Sequence, residues 1–113
     1  MDKALKYKEI VKQTLNRYIA LDRQQPQPGV EYFLISDDTQ GHYLWVSLGW
    51  RGDTRNRQVA AHLRVKDRKI WIETDGTENG LAEDLLRAGV PAQDIVLAFH
   101  EPAMRQYTEF AAA

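Results

Sequence analysis

The sequence predicts an α+β fold: an antiparallel sheet of four or five strands in a meander, with two main helices packed on one face. Three observations carry the prediction. Apolar side chains in the first twenty or so residues recur with a helical period. Four later segments alternate with a period of two, and their connections are too short for crossovers. A second helical unit then precedes a brief apolar run. At 113 residues the chain forms one domain, 1–113, large enough to bury a core and too small for two.

The first helix is expected from Asp2 to about Leu21. At 100° per residue Tyr7, Val11, Thr14, Leu15 and Tyr18 share a face, with Leu21 beside them, while Lys6, Glu9, Gln13, Asn16 and Arg17 take the other. Asp2 is suited to cap its start. Pro26, Pro28 and Gly29 forbid continuation. Strands are expected at Val30–Ser36, His42–Trp50, Arg57–Lys66 and Lys69–Thr74. Asp37–Gly41 and Arg51–Asp53 read as loops, and Lys66-Asp67-Arg68-Lys69 as a tight hairpin.

Alternation divides these strands into two sets. Leu44, Val46, Leu48, Trp50, Val59, Ala61, Leu63, Val65, Ile70 and Ile72 are nearly all aliphatic and are expected beneath the helices. Tyr43, Trp45, Ala60, His62, Arg64, Trp71 and Glu73 are aromatic and polar together, the composition of a surface meeting a partner or a folded-back tail.

Thr77 is a suitable cap for a helix over 78–88, in which Leu81, Leu85 and Ala88 form the buried stripe. Gly80 within its first turn costs about 1 kcal/mol relative to Ala. Gly89 and Pro91 end the helix. Asp94 closes a turn before Ile95-Val96-Leu97-Ala98-Phe99, short enough for a buried strand. The tail, His100 to Ala113, has too few aliphatics for a core strand and too many aromatics for a disordered end.

Composition narrows the function. With no cysteine, disulfides, thiolate nucleophiles and Cys₄ zinc sites are excluded. The opening MDKALKYKEI is no leader peptide, and no apolar run is of spanning length, so a cytoplasmic protein is expected. A net charge of −1 argues against a domain that grips DNA by itself. The distribution is uneven, however. Seven basic residues lie between Arg51 and Lys69 against Asp53 and Asp67, and an acidic run follows from Glu73 to Asp84. Such asymmetry suits docking and steering, and equally suits solvated faces.

Signs of catalysis are few. His42, His62 and His100 fall in no ligand motif, Ser36 and Ser47 in no nucleophile elbow, and the glycines in no phosphate loop. Glu73-Thr74-Asp75 lacks the lysine that nuclease carboxylate pairs commonly use. Catalytic residues, metals and cofactors are therefore not expected. Arginine and aromatic residues do interleave: Trp50, Arg51, Arg55 and Arg57 with Tyr43, Trp45 and Trp71. They suit nucleobase stacking or phosphate contact, and equally a protein hot spot, which the near-neutral charge favours. The candidate interaction surface is Tyr43, Trp45, His62, Arg64, Trp71, Glu73, Arg105, Tyr107 and Phe110. Arg51, Arg55, Arg57 and Lys69 form a candidate basic patch.

A set of short motifs runs through the chain: Gly49-Trp50-Arg51-Gly52-Asp53 with Arg55, then His62, Lys69-Ile70-Trp71-Ile72, Asp75-Gly76-Thr77-Glu78 and Gly80. Gly89-Val90-Pro91, Asp94-Ile95-Val96-Leu97, Phe99-His100 with Pro102, Arg105, Tyr107-Thr108 and Phe110-Ala111 complete it. In this spacing the sequence resembles the XisI family, the fdxN element excision controlling factor proteins of cyanobacteria. The resemblance implies a non-enzymatic accessory factor in programmed excision of a DNA element, where a separate site-specific recombinase cuts and rejoins. It implies an XisH-like partner and supplies no catalytic residues. A homodimer is a further expectation, as is weak or indirect contact with DNA. The alternative is an enzyme or nucleic-acid binder acting alone through the Arg/Trp-rich face.

Overall fold

The computed structural model describes residues 2–113. Helix α1 (Lys3–Gln24) lies across a five-stranded sheet whose spatial order matches the chain: β1 (Val30–Asp37), β2 (His42–Arg51), β3 (Thr54–Lys66), β4 (Lys69–Asp75) and β5 (Ile95–Leu97). The first four strands pair antiparallel, as their short turns require. The fifth runs parallel to β4 and departs from the expected meander. The stretch between them holds α2 (Leu81–Arg87) and is long enough for a crossover. Among the described residues no helix is long and apolar enough to cross a membrane.

Both helices cover the same face. Tyr7, Val11 and Leu15 of α1 and Leu81 and Leu85 of α2 meet Tyr43, Ala61, Leu63, Ile70, Ile72 and Ile95 in one buried cluster. The stripe of α1 continues to Ile19 rather than Leu21, which is 60% exposed. Aromatic residues moor α1 to the rest of the domain through aspartates. The Tyr7 hydroxyl donates to Asp94, and that of Tyr18 to Asp84 of α2. The Trp45 indole N–H donates to Asp22 at 2.9 Å, and its ring stacks on Tyr18. Each contact lets a large ring be buried while its polar tip is satisfied.

Burial, reinforced by the neighbouring carboxylate, pushes the Tyr7 and Tyr18 hydroxyls up to about 12. Burial alone would raise the Asp94 carboxyl. The Tyr7 hydroxyl and the Lys3 ammonium, 3.0 Å away, together hold it below its ordinary value.

Several helix and turn details differ from expectation. Asp2 stands at the N-cap of α1, but its side chain makes no capping bond. The second helix starts at Leu81 rather than 78. Asp75, not Thr77, supplies its cap: one carboxylate oxygen accepts from the Leu81 N–H at 2.7 Å, and the other from Thr77. Gly80 therefore lies before the helix with φ +87, where its missing side chain is an advantage. The helix closes as expected, with Gly89 and Val90 N–H groups returning to Leu86 and Leu85 carbonyls. The hairpin at Asp67-Arg68 is present, with both residues at positive φ as a type I′ turn demands.

The assignment of sheet faces needs a larger correction. Tyr43 pairs with Leu63 and Trp45 with Ala61, so β2 turns its aromatic set toward the helices. Leu44, Val46, Leu48 and Trp50 consequently point the other way. A bulge in β3 at Ala60 moves Val59 to that opposite face as well, since Val46 pairs with Val59. A second irregularity, at Glu73, shifts the register of β4, where Leu63 pairs with Ile72 and His62 with Thr74. Leu63, Val65, Ile70 and Ile72 lie in the core as expected.

Candidate functional site

Of the nine residues expected on one interaction surface, the structure brings six toward the open side and removes three. Tyr43 is fully buried and donates to Asp38 at 2.7 Å, its hydroxyl raised by burial and then by that carboxylate. Trp45 packs under α1. Phe110 packs against the core, and the adjacent Ala111 bridges Val96, its N–H reaching the Ile95 carbonyl at 2.8 Å. The end of the tail thus belongs to the domain. Sequence reading misassigned Tyr43 and Trp45 because both alternating sets of β2 contain large apolar residues and the register alone decides which set meets the helices, and Phe110 because its packing is set by the fold of the tail.

The remaining six gather on the β3–β4 part of the open face and on the tail beside it. Arg64 pairs in register with Trp71 and approaches Glu73 at 3.7 Å. Its Nε–H is buried and finds no acceptor among the described residues. The Trp71 indole N–H donates to the Lys66 carbonyl at 3.0 Å. Two cations lie near the Trp71 ring, Lys66 at 5.1 Å and Arg105 at 5.8 Å from its centroid. Arg105 is itself held by the Ala98 and His100 carbonyls, which positions the 3-10 helix Pro102–Tyr107 next to Trp71. Tyr107 on that helix is 76% exposed. A ring fixed by its own hydrogen bond, with cations at its sides and a free tyrosine nearby, makes a rigid aromatic anchor with a polar rim.

His62 has a neighbour that the sequence did not single out. The His42 and His62 rings approach at 2.9 Å between Nδ1 and Nε2, so one nitrogen donates and the other accepts. Burial, then the charge of His42, lowers the pKa of His62. Register explains the pair: His62 lies opposite Leu44, two residues along from the His42–Arg64 pair and on the same face. Among the described residues no three His, Cys, Asp or Glu side chains gather as a cation-holding group.

The basic residues do not form one patch. Arg51, Arg55 and Arg57 lie at the end of the β2–β3 hairpin, which runs past the end of β4. Lys69 pairs with Lys66 at the opposite end of β3, roughly 30 Å from Arg57 at about 3.3 Å per residue. The extended hairpin is consistent with a radius of gyration of 14.8 Å, above the roughly 13 Å typical of this length. Arg55 sits 5.3 Å from the Trp50 ring centroid, and none of the three arginines pairs with a carboxylate among the described residues. Gly49 anchors this arm: a Cβ there would meet the Gly29 carbonyl at 1.9 Å, and φ is +150.

A groove of about 420 Å³ between α1 and α2 is lined by Arg17, Tyr18, Leu21, Asp84, Arg87 and Ala88. Asp84 is already engaged there by Tyr18 and by Arg87 at 2.5 Å, so the groove reads as a structural junction.

Comparison with known proteins agrees along the whole chain. The family described as XisI protein matches residues 1–112. A crystal structure of an XisI-like protein from Anabaena variabilis superposes with a TM-score of 0.92 at 39% identity, covering 97% of this chain and 99% of that one. The fdxN element excision controlling factor XisI from the same organism gives 0.85 at 36% identity, covering 99% and 100%. No curated protein matches. A family match of this extent, supported by two structures similar over nearly their entire length, places the chain in the XisI family.

Proposed function

We propose that this protein is a non-enzymatic controlling factor in the excision of a DNA element, acting by contact with an XisH-like protein. The observation that carries the reading is the 36% identity to a named excision controlling factor across the full chain. The site supports it in kind, because a fixed tryptophan beside an exposed tyrosine and charged residues is the composition of a protein hot spot. Trp71, Arg105 and Tyr107 form its centre, with His62, Arg64 and Glu73 along the rim. Co-expression with an XisH-like protein tests both parts. The expected result is a stable complex that Trp71→Ala and Tyr107→Ala weaken at least about tenfold while each variant unfolds cooperatively. Failure of the wild-type proteins to associate would overturn the partner. A complex indifferent to both substitutions would overturn the surface.

A second reading has one observation in its favour, the three arginines without carboxylate partners at the end of the hairpin arm. They suit weak, sequence-independent contact with phosphates. Three contacts predict a log–log salt slope of about −2.7, and the net charge of −1 keeps the affinity low. Binding of duplex DNA by the protein alone with that salt slope, lost when Arg51, Arg55 and Arg57 are all replaced by Ala, would favour this reading over the first.

A further inference from the structure

The tip of the β2–β3 hairpin combines an open aromatic ring with unpaired cations. Register puts Trp50 opposite Arg55 and Leu48 opposite Arg57, so these four side chains share the face turned away from the helices, while Arg51, opposite Thr54, takes the other. Trp50 is 52% exposed. Arg55 lies over its ring at 5.3 Å from the centroid, and that exposure leaves ring area for a second flat group. Arg55 and Arg57 stand two residues apart, about 6.6 Å along β3, and so reach separate anionic groups.

The base of this tip is locked. The Trp50 N–H donates to the Gly29 carbonyl at 2.9 Å, and a Cβ on Gly29 would meet the Trp50 carbonyl oxygen at 2.5 Å. On the helix side of the same strands the Asn56 amide donates to the Ser47 hydroxyl at 2.9 Å, and both residues are buried. The backbone that carries Trp50 is thus fixed before any ligand arrives, which lowers the cost of ordering it on binding.

We propose that this tip binds single-stranded nucleic acid, with a base stacked on Trp50 and phosphates held by Arg51, Arg55 and Arg57. The proposal rests on the second reading above, in which the arginines contact phosphates, and names the form of nucleic acid they serve. Two features select it. Between Leu48 and Val59 the chain has no aliphatic side chain, and Asp53 is the only carboxylate against three arginines. A protein hot spot needs a surrounding shell of contacts that keeps water out, which a tip of this composition does not supply. A base needs only ring area, and phosphates need cations free of competing carboxylates. A duplex keeps the faces of its bases closed within the stack, so Trp50 adds affinity only on a single strand. Stacking and ion pairing are indifferent to the 2′-hydroxyl, so DNA and RNA strands both qualify.

Fluorescence anisotropy with the full chain provides the test, using labelled oligothymidylate and oligouridylate of about 15 nucleotides and a mixed-sequence duplex, from about 20 to 200 mM salt. Both single strands should bind at least about fivefold more tightly than the duplex. Their log–log salt slope should be about −2.1 for three phosphates, against about −2.7 on the duplex. Trp50→Ala should erase the preference and leave duplex binding unchanged. Oligothymidylate should also quench the tryptophan emission of the parent, and that quenching should vanish in Trp50→Phe. If Trp50→Ala does not fold, the quenching decides, since Phe keeps an aromatic ring on the arm. A single strand bound no better than the duplex, or a preference that survives Trp50→Ala, overturns this inference and leaves the phosphate contacts standing. A chain that binds none of the three at about 20 mM salt overturns both. Quenching that persists in Trp50→Phe assigns the contact to another tryptophan and overturns the inference. So does an XisH-like protein whose association is lost in Trp50→Ala while no strand binds.

Discussion

Beneath α1 and α2 the sheet buries rings whose polar tips reach aspartates, while on its other side β1–β3 carry aliphatic side chains with no polar tip and no covering element. The two faces are similar in apolar content but differ in how their contacts are specified. Tyr43 and Trp45 are oriented by Asp38 and Asp22, and each pairing fixes an angle as well as an area. Phe33, Leu44 and Val46 offer area alone. A face that must pack one way within the chain uses directional contacts.

The sharpest way to break this contrast is to remove a ring from the covered face. Tyr43→Ala leaves a cavity in the core and removes the bond to Asp38, and should cost about 3–5 kcal/mol by denaturant titration. A loss below about 1 kcal/mol would mean the ring is not a core element. Phe110→Ala should cost about 2–3 kcal/mol, because the ring is only partly buried, whereas Tyr107→Ala three residues earlier should stay within about 0.5 kcal/mol. Equal effects would dissolve the distinction between tail anchor and tail surface. On the open face, Val59→Ala should cost less than about 1 kcal/mol, because the side chain is 46% exposed.

The smallest effect concerns pH. The pKa of His62 is lowered in the folded chain, by burial and then by His42, so the unfolded chain binds more protons as pH falls through the ordinary histidine range. Stability from this group is present above that range and declines below it, with Arg64 opposing protonation and Glu73 favouring it. Denaturant midpoints at about pH 7.5 and about pH 5.5 should differ less in His62→Gln than in the parent. An unchanged difference would place the pH sensitivity elsewhere.

Much of the fold was legible in the sequence. Helix α1, four antiparallel strands, the Asp67-Arg68 turn and the Gly89 stop follow from periodicity and turn chemistry, which are local. The face of β2 was not legible, for two physical reasons. Its two alternating sets are both apolar, so hydrophobicity does not choose between them, and the choice is made by aspartates from the α1 and β1–β2 segments. The bulge at Ala60 then reverses parity within β3, and nothing in the alternation of that strand marks it. The strand after Asp94 was expected, but its parallel direction was not, because Ile95–Leu97 is too short to signal direction. The placement of His62, Arg64, Trp71 and Glu73 on the open face was readable from alternation alone. The His42–His62 pair required the register.

The parallel β5 also has a consequence for how the chain is made. Strands β1–β4 are joined by short turns and are able to assemble as they leave the ribosome, but β5 begins 20 residues after β4 ends. At about 5–20 residues per second that is a delay of roughly 1–4 s. Throughout it, the Ile70–Ile72 margin of β4 lacks its strand neighbour. The nascent chain is most open to mispairing in that interval, and Ala111 seals β5 only 14 residues after Leu97 ends the strand.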